Sequence, residues 1–309
     1  MNKVLLTGAT GFIGSHVARL LVNSGTKVFA LIRENSNLWR IQDILSEIQI
    51  LRADLHDSTK LKSELGKIKP DICIHLAWYL EPRKYTDSLE NISMLHDSLN
   101  FSLRLAEAGC RRIVGVGTCF EYKMGSECLS ESSPVKPQTL YAACKLSLLT
   151  ILEQISRQTG MEVIWPRPFY LYGPYESEKR LVPSVICSLL RNQPTKTTKG
   201  EQVRDYLHVS DVASALWAVT RSKLSGPVNI GSGKPVTVGD IVELVGKIIN
   251  KPELIKLGAL PYGPDENMYI CADNRRLLEN TDWKPQYSLE QGLRETIEWW
   301  KNKIALKER

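Results

Sequence analysis

Nothing in this chain is spaced to hold a metal. Its seven cysteines (Cys73, Cys110, Cys119, Cys128, Cys144, Cys187 and Cys271) are odd in number, and no two stand in C-x-x-C spacing. Only five histidines are present and none completes a ligand cluster. No apolar run reaches the roughly 18–20 residues that a membrane-spanning helix needs. There is no internal repeat, and Met1-Asn2-Lys3 leads straight into a strand-like run where a signal peptide would lie. Reduced thiols and a cytoplasmic setting are therefore expected. Charge of one sign is also scarce: 40 basic against 34 acidic residues leave a net +6, spread along the chain. Pairs such as Arg111-Arg112 and Arg275-Arg276 read as solvated faces, which argues against a nucleic-acid partner.

What is present is an alternation. Apolar residues make up 43% of the 309 residues and charged ones 24%, an ordinary globular balance. Val4-Leu5-Leu6 reads as a buried parallel strand. Ile13, Val17, Leu20 and Leu21 then fall at helical spacing before Gly25, and Val28 to Ile32 is the next strand. Further strand-like runs lie at 48–51, 72–76, 113–116 and 163–165, with helical segments at 89–108 and 140–158 among them. Strands alternating with helices predict an α/β fold, a Rossmann-type doubly wound parallel sheet. After Arg167-Pro168 prolines crowd the chain and elements shorten. The expected organisation is a dinucleotide-binding domain over 1–167, with later contributions near 203–231, and a smaller substrate-binding lobe over 168–309. Ligands in such folds sit at the carboxyl ends of the strands.

The first strand-to-helix turn reads Thr7-Gly8-Ala9-Thr10-Gly11-Phe12-Ile13-Gly14. Gly8 permits a tight turn, Gly11 lets a pyrophosphate reach the backbone, and Gly14 lets helix and strand pack closely. The phosphates would meet the free N–H groups of the helix start, contributed by residues such as Thr10, Phe12 and Ile13. The spacing is G-x-x-G-x-x-G, and a turn that binds nothing is the bland alternative. The second strand ends in Leu31-Ile32-Arg33-Glu34. An arginine there suits the 2′-phosphate of NADP, whereas the neighbouring Glu34 suits NAD.

Tyr141 and Lys145 stand at i and i+4, on one face of a helix. An ammonium near a phenol lowers the phenol's pKa and fits it for proton transfer. Alone, Y-x-x-x-K is common on surface helices. Upstream, the strand at 113–116 ends at Gly117-Thr118-Cys119, so Thr118 points a hydroxyl into the expected cleft.

The glycine turn, Thr118 and the Tyr141–Lys145 pair together resemble the extended short-chain dehydrogenase/reductase family, in its sugar-nucleotide epimerase/dehydratase/reductase branch. The resemblance covers essentially the whole chain. It implies that Tyr141 is the acid/base, that Lys145 holds the nicotinamide ribose and tunes Tyr141, and that Thr118 orients the sugar oxygen. It implies cofactor contacts from Asp54 and Leu55, from Leu76 and Ala77 after His75, and from Pro168. Tyr170 and Arg204 would face the substrate, with Arg204 on its diphosphate. The bland reading of Arg204 is a buried ion pair with Asp205 or Asp211. His75 and Asn91 are as well explained by structural roles. Trp78 and Tyr79 add aromatic surface that stacks on a ligand or simply packs. A homodimer through the helices at 89–108 and 140–158 is implied as well.

The sequence departs from that pattern in two places. Dehydratases of this branch carry Asp-Glu directly after the threonine; here Cys119-Phe120 stand there, and Glu121, one place late, would face away on a continued strand. That argues against a 4,6-dehydratase. Gly263 stands about where relatives often have a phosphate-binding arginine, and Arg180 or Arg276 are the candidates to replace it. The expected activity is reduction of an NDP-4-keto-6-deoxyhexose by NADPH. The alternatives are an NDP-sugar 4-epimerase with tightly bound NAD and a non-catalytic NADP sensor.

Overall fold

The first strand, β1 (Lys3–Thr7), is apolar and buried along almost its whole length, which only the centre of a covered parallel sheet allows. The structure is a computed structural model describing residues 3–307 apart from 83, 126 and 265. Helix α1 (Phe12–Asn23) returns the chain to β2 (Lys27–Ile32), and β3 (Gln49–Arg52), α2 (Ser58–Ile68) and β4 (Ile72–His75) follow. Then come α3 (Glu90–Glu107), β5 (Arg112–Gly115), α4 (Leu140–Thr159), β6 (Glu162–Pro168), β7 (Tyr170–Tyr172) and α5 (Leu181–Leu190). The chain continues through β8 (Thr195–Lys196), β9 (Val203–His208), α6 (Val209–Arg221), β10 (Gly226–Ile230), β11 (Pro235–Thr237) and α7 (Val238–Ile249). It closes with β12 (Ile255–Lys256), β13 (Tyr269–Ile270), α8 (Arg275–Asn280) and α9 (Leu289–Lys307).

Seven strands form one sheet in the order β10-β6-β5-β4-β1-β2-β3, and every pairing in it is parallel. The doubly wound fold read from the sequence is therefore present. Val4, Leu6 and Ile74 face α1 and α6, while Leu5, Cys73 and Ile113 face the core shared with α2, α3 and α4. Strand order reverses between β1 and β4, so a crevice opens at their carboxyl ends. Gly8 lies in that crevice: a Cβ on it would come 2.8 Å from the Ala77 nitrogen that follows β4. A second apolar cluster, built on Val185, Ile241, Leu293 and Trp300, forms the smaller lobe of α5, α7 and α9. A small sheet of β11-β9-β13, with β7 on β9, joins that lobe to the carboxyl edge of the large sheet.

The end of β4 is tied to the end of β1 by a buried histidine. His75 Nδ1 is 2.8 Å from Thr7 Oγ1, and His75 Nε2 is 3.0 Å from Ser98 Oγ on α3. Thr7 Oγ1 also accepts from the Ala77 N–H at 3.1 Å. Burial pulls the imidazole down to about 3, with Lys145 acting in the same direction. Between that value and its unfolded value near ~6.5 the unfolded chain binds a proton that the folded chain does not. Stability from His75 is therefore complete above pH ~6.5 and is lost as pH falls below it. In His75→Gln the fall in unfolding free energy from pH 6.5 to pH 4 should be shallower by one proton, about 1.4 kcal/mol per pH unit. Denaturant titrations at stepped pH measure this, and parallel curves for variant and wild type would refute it.

Candidate active site

The glycine turn is built to admit a chain of phosphates. The Gly11 N–H bonds Gly8 O at 2.9 Å, and Gly8 has φ +73, a conformation glycine adopts without strain. A Cβ on Gly14 would sit 2.0 Å from Gly8 O, so strand and helix touch there. Gly11 caps α1 with extended backbone and no side-chain bond, which leaves the first-turn N–H groups without a side-chain partner at the positive end of the helix. These are the features a dinucleotide's pyrophosphate requires. Thr10, Phe12 and Ile13 are half-buried at this mouth. Arg40, which sequence reasoning passed over, donates to Thr10 O at 3.3 Å and Tyr175 O at 2.9 Å. No local pattern marks it; a short 3₁₀ turn at Trp39–Ile44 carries it back over the glycines.

Arg33 follows β2 and lines an open cleft of about 460 Å³ with Glu34, Asn35, Ala53, Asp54, His56, Asp57 and Lys60. Glu34 is drawn 3.8 Å from Lys60 Nζ, and Asp54 lies 2.9 Å from His56 Nδ1. The cleft thus offers Arg33 with its acidic neighbours already opposed by bases. It lies at the ends of β2 and β3, and not at Thr118 and Tyr141. Leu55 is buried beside it, and Leu76 and Ala77 border the glycines after β4.

Strand β5 stops at Gly115, and the chain then curls through a 3₁₀ turn at Cys119–Glu121. This corrects the expectation for Glu121. On a continued strand it would face away; in the turn its carboxylate folds back and is completely buried. It accepts from the Thr118 N–H at 2.9 Å, from Trp165 Nε1 at 3.0 Å and from Arg167 Nε at 2.7 Å. Burial raises the Glu121 pKa, opposed chiefly by the Arg167 charge. With Phe120 N donating to Thr118 Oγ1 at 3.3 Å, Thr118 and Glu121 form a reciprocal capping box. The T-x-x-E spacing was the sequence signal for it.

Helix α4 brings Tyr141 and Lys145 to the same place. Thr139 caps the helix by accepting from Ala142 N at 3.2 Å, and Tyr141 N donates to Thr86 O at 2.8 Å. The Thr118 side chain faces the Tyr141 phenol closely enough to oppose the rise of its pKa. The two hydroxyls expected to share a substrate oxygen are therefore together. Lys145 Nζ donates to Val116 O at 2.8 Å and sits 3.8 Å from the centre of the Trp78 ring. Burial raises the Tyr141 pKa, with the Thr118 side chain opposing it. Burial also lowers Lys145 itself to about 7, against the pull of Glu121. Desolvation is the largest influence on each of the two groups.

Other expected positions fall in order around this centre. Pro168 ends β6, paired with Ile230 of β10. Asn91 is bonded on every side, donating to Tyr85 O and Ser88 O and accepting from Trp78 Nε1 at 2.8 Å, which makes it a brace. The Tyr170 ring lies between those of Phe120 (6.2 Å) and Tyr206 (5.5 Å). Arg204 is buried with its guanidinium 5.2 Å from the Tyr170 ring. Its partner is neither Asp205 nor Asp211 but Glu266, which the sequence left unremarked. Asp205 is taken up by the Ser232, Gly233 and Ala272 N–H groups, and Asp211 by those of Gln286 and Tyr287. The Gly263 segment therefore brings a carboxylate to Arg204. Arg276 donates to Ser225 O on α8's side of the fold, while Arg180 stacks 5.4 Å from Tyr85.

Residues 4–231 match the family model described as the NAD dependent epimerase/dehydratase family. The chain belongs to this family. Among curated relatives, a dTDP-glucose 4,6-dehydratase of Haemophilus influenzae is 25% identical over 97% of this chain and 98% of its own. A UDP-glucuronate 4-epimerase of Thermodesulfobacterium geofontis is 26% identical, over 99% and 98%. Among solved structures, a dTDP-glucose 4,6-dehydratase of Streptomyces venezuelae superposes with TM-score 0.88 at 22% identity, covering 98% of each chain. The epimerase/dehydratase fold is thus shared along the full length.

The floor of the site is set by Trp165. A Cβ on Gly117 would lie 2.2 Å from Trp165 Nε1 and 2.5 Å from Glu121 Oε1. Gly117→Ala should therefore cost about 1–3 kcal/mol through overpacking. Because the displaced group holds Thr118, turnover should fall at least about tenfold, which corresponds to 1.4 kcal/mol. Thermal melts and kcat read the two effects, and an alanine variant with wild-type values of both would contradict the account.

Proposed function

We propose that this chain is an enzyme that transfers hydride between a nicotinamide dinucleotide and a carbonyl or carbinol carbon of a nucleotide-activated sugar. The reading favoured is the NADPH-dependent 4-ketoreduction of an NDP-4-keto-6-deoxyhexose. Family membership and the named activities of the relatives support the sugar-nucleotide substrate class. Residues 1–167 with 203–231 would hold the cofactor, and 168–309 mainly the substrate.

The observation that carries the choice against dehydration is the state of the residues after Thr118. Loss of water needs a further acid and base beside the sugar. Cys119 is buried, and burial pushes its thiol up to about 12. Glu121 is occupied by Thr118 N, Trp165 and Arg167. What remains is one proton-transfer pair, Thr118 and Tyr141, which suits reduction or oxidation at a single carbon.

When bound, the dinucleotide supplies or accepts the hydride. The Gly8, Gly11 and Gly14 turn, with Thr10, Phe12 and Ile13, would hold its pyrophosphate. Arg33, Asp54 and Leu55 would hold the adenosine end, and Leu76, Ala77, Lys145 and Pro168 the nicotinamide side. Thr118 Oγ1 orients the sugar oxygen, and the Tyr141 hydroxyl gives that oxygen a proton. Burial raises the pKa of the phenol, so it stands protonated at neutral pH. Tyr170 and Arg204 would line the substrate.

Tyr141→Phe should lower kcat by about 10²–10⁴-fold, the usual contribution of a positioned acid, while dinucleotide binding stays within twofold. Assays pair NADPH with nucleotide 4-keto-6-deoxysugars, after the dinucleotide released by denaturing the purified protein has been identified. Released NAD together with interconversion of sugar nucleotides in the absence of added cofactor would replace the reductase by a 4-epimerase. That second reading is favoured by the UDP-glucuronate 4-epimerase relative. A function that survives Tyr141→Phe intact would point to the sensor reading.

Arg33 in its cleft carries the preference for NADPH. Arg33→Ala should weaken NADPH about tenfold or more relative to NADH, since a hydrogen bond to a charged group contributes roughly 1.5–3 kcal/mol. Titration of both cofactors by fluorescence reads the ratio, and an unchanged ratio would return the preference to NAD.

A further inference from the structure

Between the Cys119–Glu121 turn and α4 the chain runs against the segment that continues β13. Leu129 N donates to Cys271 O at 2.8 Å and Asp273 N to Leu129 O at 2.9 Å, which pairs Leu129 with Ala272 in parallel. One residue back on each side stand Cys128 and Cys271. Facing residues of paired segments point the same way and lie about 5 Å apart at Cα, inside the range that a disulfide spans. Tyr269, two places before Cys271, shares that face by the period of a strand. The three groups are in contact there: Cys128 Sγ is 3.6 Å from the Tyr269 hydroxyl. Cys128 is the first influence on that hydroxyl, which is pushed up to about 12, and follows burial as an influence on the Cys271 thiol, which is also raised.

The two thiols differ in what can reach them. Cys128 is the one exposed cysteine among the described residues, and Cys271 is completely buried. A dissolved oxidant therefore meets Cys128 first, with a second sulfur beside it to resolve the product. Cys271 Sγ is held only by long contacts, to Ala272 O at 3.7 Å and Asp205 Oδ2 at 3.9 Å, so a turn toward Cys128 gives up little. Cys73 and Cys110 offer no such route, because both lie in the core beneath α2 and α3. The two paired segments also lead to the site. Leu129 O accepts from Asn229 Nδ2 at 2.7 Å, and Asn229 Oδ1 accepts from the Tyr122 hydroxyl at 2.7 Å. Ala272 N donates at 3.1 Å to Asp205, the neighbour of Arg204 in the chain.

We propose that Cys128 and Cys271 are a redox modification site, where a hydroperoxide oxidises Cys128 and Cys271 closes a reversible disulfide. The Cys128 sulfur attacks the O–O bond, one S–O bond forms, and the other oxygen leaves with the thiol proton as water or an alcohol. The Cys271 sulfur then displaces the sulfenic hydroxyl, which leaves as water with the Cys271 proton. Two thiols together give up two electrons and the hydroperoxide takes them. With hydrogen peroxide the products are one disulfide and two waters. The bond ties the chain that follows Thr118 to the strand segment beside Arg204, and a dithiol reductant reopens it. The proposal is independent of which sugar nucleotide the protein takes.

The test treats the reduced full-length chain with hydrogen peroxide and follows it by thiol counting in denaturant and by mass mapping of alkylated digests. Wild type, Cys128→Ser and Cys271→Ser are compared. Wild type should lose two of its seven thiols, give one linked peptide pair joining Cys128 to Cys271 within a single molecule, and regain both thiols with dithiothreitol. Cys128→Ser should keep its six remaining thiols under the same treatment, since those are buried in the native chain. Cys271→Ser should stop at a Cys128 sulfenic acid that dimedone traps. Should Cys271→Ser fail to melt cooperatively, wild type and Cys128→Ser decide alone. Three results would overturn the proposal: linkage of any other pair, a Cys128 disulfide between two molecules, or oxidation of Cys128 to the sulfinic acid with Cys271 still free.

Discussion

The carboxylate of Glu121 is the constraint on which the site depends. It is completely buried, and its bonds to Thr118 N, Trp165 and Arg167 come from two neighbouring strand ends. A buried charge of this kind is tolerated only when its partners are fixed, and losing one partner strands the other. That requirement locks the chain after β5 into a 3₁₀ turn and fixes where Thr118 stands. The same requirement brings Trp165 up against Gly115 and Gly117, where no side chain fits. Arg167 then stacks on Tyr122, whose hydroxyl donates to Asn229 of β10 at 2.7 Å. One ion pair thus joins β5, β6 and β10 beneath the Thr118 and Tyr141 hydroxyls.

The second organising fact is the reversal of strand order between β1 and β4. It opens the crevice that the glycine turn occupies, and His75 closes its floor through Thr7 and Ser98. The smaller lobe reaches the same crevice through the segment after β7. There Arg40 and Tyr175 bridge to the glycines, and Arg180 to Tyr85. The glycine turn, the Thr118 and Tyr141 hydroxyls and the segment after β7 are therefore held by three separate parts of the chain that share one edge of the sheet.

Legibility in the sequence followed the range of the interaction. The glycine turn, the Tyr141–Lys145 spacing and the strand ending before Thr118 are local patterns, and each was readable. So was the fold, because alternating buried runs and amphipathic helices leave few topologies. Glu121 sat at the margin: its T-x-x-E pattern was present, but assuming a continued strand hid it. Glu266 on Arg204, Arg180 over Tyr85 and Arg40 at Thr10 join residues 62, 95 and 30 positions apart, and no periodicity records such pairs.

By itself the sequence determined the doubly wound sheet, the glycine turn after β1 and the shared helix face of Tyr141 and Lys145, because backbone conformation and burial follow from neighbours in the chain. Only the tertiary structure decided the electrostatics: which carboxylate opposes which arginine, and that burial governs both Tyr141 and Lys145. Charge and solvation depend on everything within several ångströms, and most of what surrounds these groups comes from distant parts of the chain.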